Sequence, residues 1–269
     1  MKAYCPSNGL CGLDHIELPQ VKIDMLRSVP DLPMDDVNRK NSFLALVVGD
    51  REFLSKITPE DRDYFFVISA ASISANTLPF TVPCSCSTIN HGSVELEEAE
   101  FVRLGRGLDR TVTKKIFGES YSFTYLSAQD EANIEDYAMD KPDEKYIDSK
   151  LDAVVAMTLF GDLSEMSILK ALSVDLSVYM QALLFQKCMP HGLSLKKFMH
   201  CSNSQCMKLL SVNLPITGNI LDVDISDLLS NYIYLTKELS IEGFFSLSMP
   251  EYNSFVQALN AKLRAQKGK

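Results

Sequence analysis

Two cysteine pairs, set in short turns more than a hundred residues apart, constrain this chain more than any other feature of its sequence. The first is Cys84 and Cys86 in PFTVPCSCSTINHGSVEL, the second Cys201 and Cys206 in KKFMHCSNSQCMKLLSVNL. Each reads as an extended segment, a tight turn carrying two thiols and a second extended segment, which is how half of a zinc ribbon is built. Together they offer enough sulfur to close one tetrahedral structural zinc site, with His91 and His200 as substitute ligands. Structural knuckles usually place about two to four residues between their thiols. The first pair here has a single intervening residue, so reduced thiols left in turns are the competing reading. A closed site would staple an early part of the chain to a late one, which argues for one interleaved unit with a small sheet between helices.

Composition narrows the setting. Seven cysteines is an odd number, and MKAYCPSNGL does not read as a charged start followed by an apolar stretch and a cleavage site. Secretion and a disulfide framework are therefore not expected. The longest weakly polar run, Tyr64 to Ala75, falls well short of the roughly 18 residues that suggest a membrane span, so no membrane partner is expected. A net charge of −9 would repel a phosphate backbone unless basic groups were gathered on one face. The one locally basic stretch, Arg103 to Lys115, reads as a solvated loop, and nucleic acid is not an expected partner.

Local signals divide the chain. Residues 1–40, punctuated by Pro6, Pro19, Pro30 and Pro33, read as an extended N-terminal arm with a short strand over Val21–Asp24. Thr58-Pro59-Glu60-Asp61 opens a helix, with a capping threonine, proline at the first position and acids at the positive end of the dipole; its buried stripe is Tyr64, Phe65, Ile68 and Ala71. KKIFGESYSFTYLS gives two extended pieces around Gly118. Ser127 caps a helix through Tyr137, and Asp130 to Asp148 holds eight acids against two lysines, a solvated surface. Leu151 to Leu184 is helical with a cap at Ser164, and these central helices are expected to form the core on which both hairpins pack. A helix begins near Asp224 or Ser226, and Ser248-Met249-Pro250-Glu251 is a capping box for a last one, with a stripe of Tyr252, Phe255, Val256, Leu259 and Leu263 and a basic end. The expected fold is α+β, largely helical. A single interleaved domain over 41–269 carries cysteine hairpins near 80–97 and 197–214, as a zinc-ribbon-like module.

The sequence contains no phosphate-binding glycine loop, dinucleotide fingerprint or nucleophile elbow. Asp222, Asp224 and Asp227 imitate a calcium loop, but the glycine is missing and position twelve falls on Ile233. Ser167 and Lys170 form an S-x-x-K pair without its companion motifs. Cys188 and His191, in KCMPHG, read as a helix end with Gly192 in the left-handed region rather than as a thiol and its base. Cys5 and Cys11 read as packed. No enzyme, and no small-molecule substrate, is expected.

Several segments occur in an order that carries a resemblance: PSNGL followed by an extended VKI, then GDREFLSKI, the first cysteine hairpin, the turn His191-Gly192, and Cys201 with Cys206. In this the chain resembles the baseplate hub assembly proteins of contractile-tailed phages of the T-even type. There a strand leads into a C-x-x-C-G knuckle and resumes as a strand; here the first knuckle is one residue shorter and lacks the glycine. The resemblance implies a non-enzymatic hub component or hub-assembly chaperone. Its partners would be other baseplate and tail proteins, and its place the host cytoplasm during assembly or the tail baseplate. A zinc-ribbon adaptor in a transcription or other nucleic-acid complex is the alternative, and it requires a basic patch. A thiol or acyl-transfer enzyme using Cys188 or Ser167 is the third.

Overall fold

The structure, a computed structural model, describes residues 1–73, 77–221 and 241–267, the side chains of 262–267 excepted. In chain order its strands are β1 (Lys2–Tyr4), β2 (His15–Glu17), β3 (Thr77–Pro83), β4 (Ile89–Glu95), β5 (Glu100–Val102), β6 (Thr111–Ile116), β7 (Glu119–Thr124), β8 (Gly192–His200) and β9 (Leu209–Leu214). Its helices are α1 (Ile23–Leu26), α2 (Asp36–Val48), α3 (Pro59–Ile73), α4 (Ala128–Met139), α5 (Tyr146–Phe160), α6 (Glu165–Ser173), α7 (Leu176–Phe185), α8 (Ile241–Ser246) and α9 (Met249–Lys267). The fold is α+β. All strand pairs are antiparallel: three two-stranded hairpins, β1-β2, β3-β4 and β6-β7, and one three-stranded sheet ordered β5-β8-β9.

The helix starts follow from capping chemistry. The Ser127 Oγ accepts from the Asp130 N–H while the Asp130 carboxylate accepts from the Ser127 N–H, and Ser164 accepts from the Ser167 N–H. Thr58 and Asp61 cap α3 in the same reciprocal way, at 3.0 and 3.1 Å. Ser248 binds Glu251 through both its N–H and its hydroxyl at the start of α9. Tyr252 is buried there and Val256 and Leu259 partly so, whereas Phe255 is exposed. The helix expected near Asp224 lies outside the described residues. β6 and β7 are joined by Phe117-Gly118, both at positive φ (50° and 88°), the two-residue turn whose twist matches that of the flanking strands.

Apolar side chains gather in two clusters. One joins β1-β2, α1, α2, α3, both cysteine hairpins, α8 and the start of α9. The other is built from α4 to α7 with β6-β7 and receives Leu10. The hairpins therefore pack on α3 and its neighbours, through Leu78, Phe80, Val94, Leu195 and Val212, and not on the central helices as the hydrophobic pattern suggested. Nor do residues 1–40 stand off as an arm. Ala3, Cys5, Ile16, Leu18, Val21, Ile23 and Leu26 are all buried, because β1-β2 alternates apolar residues inward and α1 replaces the strand expected over Val21–Asp24.

The two clusters meet at the N-terminus of α3, around buried charge. Asp61 is fully buried and accepts from the Ser7 N–H and hydroxyl as well as from Thr58. The Arg62 guanidinium, 2% exposed, donates to Asp63 at 2.9 Å and pairs with Glu131 of α4. Burial is the strongest influence on Arg62 and opposes its charge, but Asp63 and Glu131 outweigh it and leave the pKa above its ordinary value. Arg62→Met should therefore remove about 3 kcal/mol of stability in urea unfolding, because it leaves Glu131 without its partner at a partly buried junction and leaves Asp63 with Lys40 alone. A loss within experimental error of zero would show that the pairs do not hold the clusters together.

Candidate metal centre

The cysteine turns lie at the tips of β3-β4 and β8-β9. In the first, the Ser87 N–H donates to the Cys84 carbonyl and the Cys84 N–H to the Thr88 carbonyl, both at 2.9 Å, and Ser87 takes a positive φ of 66°. In the second, the N–H groups of Cys206 and Met207 both reach the Asn203 carbonyl, the Cys201 N–H reaches the Lys208 carbonyl, and Met207 takes φ 46°. Each turn thus curls left-handed immediately after its second cysteine, the place a knuckle glycine would otherwise hold. That curl lets a pair spaced by one residue turn both sulfurs inward.

All four sulfurs lie within 4.8 Å of one another. Cys84 Sγ is 3.8 Å from Cys206 Sγ, and Cys86 Sγ is 3.6 Å from Cys201 Sγ. A tetrahedron of sulfurs about 2.3 Å from a central zinc has edges of about 3.8 Å, so these separations suit a metal. They are far too long for disulfides, which need about 2.05 Å. Cys84 and Cys201 are buried, and Cys86 and Cys206 form the outer side. His91 contacts the Thr81 hydroxyl and His200 the Met207 carbonyl, each at 3.3 Å, so the cluster is made of sulfur alone.

The electrostatics suit a cation. The Cys86 thiol is lowered to about 6, chiefly because the Thr88 hydroxyl and N–H donate to it. Cys84 is lowered first by the Cys86 N–H. Cys206 receives the Lys208 N–H, which favours its thiolate, yet is raised to about 11 by its hydrogen bond to Cys86, by burial and by the charge of Cys84. Neighbouring thiolates compete for the same small volume, and a bound dication relieves that competition by displacing protons.

Sequence reasoning missed Asn90, on β4. It is 1% exposed; its amide nitrogen donates to the Thr88 and Val82 carbonyls at 3.2 and 3.4 Å, and its oxygen accepts from the Ser202 N–H at 2.7 Å. One side chain thereby locks the first turn and ties it to the second. Lys208 Nζ adds a surface link to the Ser85 hydroxyl at 3.2 Å. No local sequence signal marks Asn90, whose partner Ser202 lies 112 positions away.

The other candidates fall elsewhere. Ser167 is buried in the α6 cap, hydrogen-bonded to Ser164, and Lys170 lies over the Phe160 ring. The His191 side chain is fully buried, with Nδ1 2.7 Å from the Met189 carbonyl and Nε2 2.9 Å from the Thr58 hydroxyl, while Cys188 is exposed. Cys5 and Cys11 are buried, and burial raises both thiols, Cys11 to about 12. Asp222, Asp224 and Asp227 lie outside the described residues. No single helix among the described residues is long and apolar enough to cross a membrane. The chain matches no protein-family model, no curated protein and no solved structure.

Asn90→Ala should weaken metal binding roughly tenfold in a competition titration, as loss of a group that orients ligands does. It should also destabilise the fold by about 1–3 kcal/mol, since the Ser202 N–H loses its acceptor. Unchanged affinity would mean that the two turns hold their sulfurs in place without it.

Proposed function

We propose that Cys84, Cys86, Cys201 and Cys206 hold one structural zinc, and that the chain is a non-enzymatic interaction protein of a contractile phage tail, a component of the baseplate hub or a chaperone of its assembly. The observation that carries the metal assignment is the four-sulfur cluster, whose separations fit a tetrahedral site filled entirely by protein ligands, with no position left for water or substrate. The hub assignment is supported by the order of segments that resembles the T-even hub assembly proteins.

The role of the zinc is mechanical. It clamps β3-β4 to β8-β9, and so fixes the outer edge of β9, the terminal strand of its sheet among the described residues. β9 has no proline, and Leu209 at its start is 56% exposed, as is Phe198 on β8. β3, by contrast, carries Pro79 and Pro83, which limit pairing along it. The β9 edge is the place where another tail protein would add a strand. Working partners are other baseplate and tail proteins, with no nucleic acid and no small-molecule substrate, in the host cytoplasm during assembly or in the finished baseplate.

Two measurements test this. Elemental analysis of the purified chain should give one zinc per chain, and Cys201→Ser with Cys206→Ser should abolish it. Chelation should lower the unfolding free energy by at least about 4 kcal/mol, as expected for a metal held near 1,000 times its Kd; coincident melting curves with and without chelator would sink the folding role. Quantitative mass spectrometry of gradient-purified tails should find a fixed ratio of a few copies per tail, or peptides confined to assembly intermediates. Absence from both would overturn the hub assignment.

A further inference from the structure

The polar groups packed against the start of α3 form a row of hydrogen bonds that is one proton short. In spatial order its members are the Met189 carbonyl, the His191 ring, the Thr58 hydroxyl, the Glu60 carboxyl, the Tyr125 hydroxyl and the Gln186 carbonyl. The His191 side chain is sealed from solvent. The Glu60 side chain is 34% exposed as a whole, on the wall of a groove between α4, α5 and α7, but its Oε2 is buried and has no hydrogen-bond donor. A buried carboxylate oxygen in that position is costly.

Counting protons along the row locates the deficit. A carbonyl can only accept, so the 2.7 Å contact between His191 Nδ1 and the Met189 carbonyl puts a proton on Nδ1. The Thr58 oxygen already receives the Asp61 N–H at 3.1 Å, and its own proton has His191 Nε2, 2.9 Å away, as acceptor. The imidazole is then neutral with its lone pair occupied, and Glu60 Oε2, 3.5 Å from Nε2, receives nothing from it. At the other end the Tyr125 hydroxyl lies 2.9 Å from the Gln186 carbonyl and 3.1 Å from Glu60 Oε1. A phenol has one proton, and the carbonyl takes it at the shorter distance. The contact between Tyr125 and Glu60 is therefore a hydrogen bond only if Glu60 supplies the proton.

The charged groups around Glu60 do not make up for a missing proton. On its own helix Asp61 is held by Ser7 and Thr58, and Arg62 pairs with Asp63 and with Glu131 of α4. Among the described residues no lysine or arginine pairs with Glu60: Lys150 of α5, on the same groove wall, pairs with Glu135, and Lys187 beyond α7 lines the groove without an ion pair to Glu60. The buried Cys11 thiol and the exposed Cys188 thiol complete the surroundings, and burial keeps Cys11 protonated. Burial is the largest influence on Glu60 itself and holds its carboxyl above the ordinary range; the charge of Glu131 acts the same way, and the opposing pull of His191 and Tyr125 does not outweigh them.

We infer that Glu60 is a proton-binding site: in the folded chain at neutral pH it is a carboxylic acid that donates through Oε1 to Tyr125, and release of its proton loosens the start of β8 from α3. Ionised, the carboxylate would meet only acceptors, the His191 Nε2 lone pair on one side and the phenol oxygen on the other. The backbone of β8 feels this directly, because it begins at Gly192, where an added Cβ would lie 3.0 Å from the Glu60 Cβ. A proton held more tightly in the folded chain than in the unfolded one adds stability that is complete below the unfolded value, about 4.3 for a glutamate, and is lost as pH rises toward the folded value. The inference rests neither on the metal nor on the baseplate assignment.

The test compares the full chain with Glu60→Gln, whose amide donates where the acid would and cannot ionise. In urea unfolding between about pH 5 and pH 8, the wild-type unfolding constant divided by that of Glu60→Gln should rise with pH, by up to about tenfold per pH unit. The ratio cancels the titration of the sulfur cluster and of every other group the two chains share. At any one pH in that window above which the ratio has risen, amide hydrogen exchange at the first residues of β8 should be faster in the wild type than in Glu60→Gln. A ratio that is constant or falls with pH overturns the proton site, and equal exchange in the two chains overturns the loosening of β8. Should Glu60→Gln not fold, the wild type alone decides: at neutral pH the carboxyl carbon resonance of Glu60 should stand at the position of a protonated acid, with His191 neutral and protonated at Nδ1. An ionised Glu60 beside a doubly protonated His191 overturns the inference.

Discussion

The fold depends on one stretch of buried charge, Thr58 to Asp63 at the start of α3. Successive residues there reach in different directions: Asp61 to Ser7 of the N-terminal segment, Arg62 to α4, Glu60 to Tyr125 beside β7 and to His191 before β8, and Asp63 to Lys40 of α2 at 3.0 Å. Burying so many polar groups is unfavourable unless every one is satisfied, and nearly all are. The arrangement makes the two apolar clusters mutually dependent. Neither α3 nor α4 can shift without stranding a carboxylate or the Arg62 guanidinium. The helix dipole favours the two acids in the first turn, Glu60 and Asp61, so the start of α3 is also the end at which negative charge is best tolerated.

β8 carries this anchorage to the sulfur cluster. It begins at Gly192, where φ is 98° and where an added Cβ would come within 3.0 Å of the Glu60 Cβ, so the close approach to α3 requires glycine. It ends at His200, next to Cys201. Nine residues of extended chain span about 30 Å, so a single strand joins the charged junction to the sulfur cluster. Closing Cys86 against Cys201, 115 positions apart in sequence, costs several kcal/mol of chain entropy by the loop-closure argument, about 4.7 for a loop near 100 residues. The strand pairs of β3-β4 and β8-β9, with their contact to α3, offset part of that cost before any metal binds.

What could be read from the sequence was local. Thr58, Ser127, Ser164 and Ser248 cap their helices because capping depends on three or four neighbouring residues. The two cysteine hairpins are legible for the same reason, as turn residues between extended runs. Longer-range features were not legible. The prolines of residues 1–40 suggested an arm, yet Pro6 and Pro19 merely end short strands whose alternate residues sink into the core. The hydrophobicity of α5 to α7 suggested the main core, yet those helices pack on one another and keep part of their leucine and methionine exposed. Asn90 carries no sequence signal, because its importance comes from a partner, Ser202, that only the fold brings near.

The exposed leucines of α7 and the edge of β9, the terminal strand of its sheet among the described residues, present different chemistry. A strand edge recognises backbone and is indifferent to most side chains, so its selectivity has to come from a fixed position, and the contact of the two cysteine turns at the base of β9 fixes it. An apolar row such as Leu176, Met180 and Leu184 presents side chains instead, so any selectivity there comes from the spacing of its anchors. The start of α3 and β8 are joined directly: the Thr58 hydroxyl lies 2.9 Å from His191 Nε2, and β8 begins at the next residue.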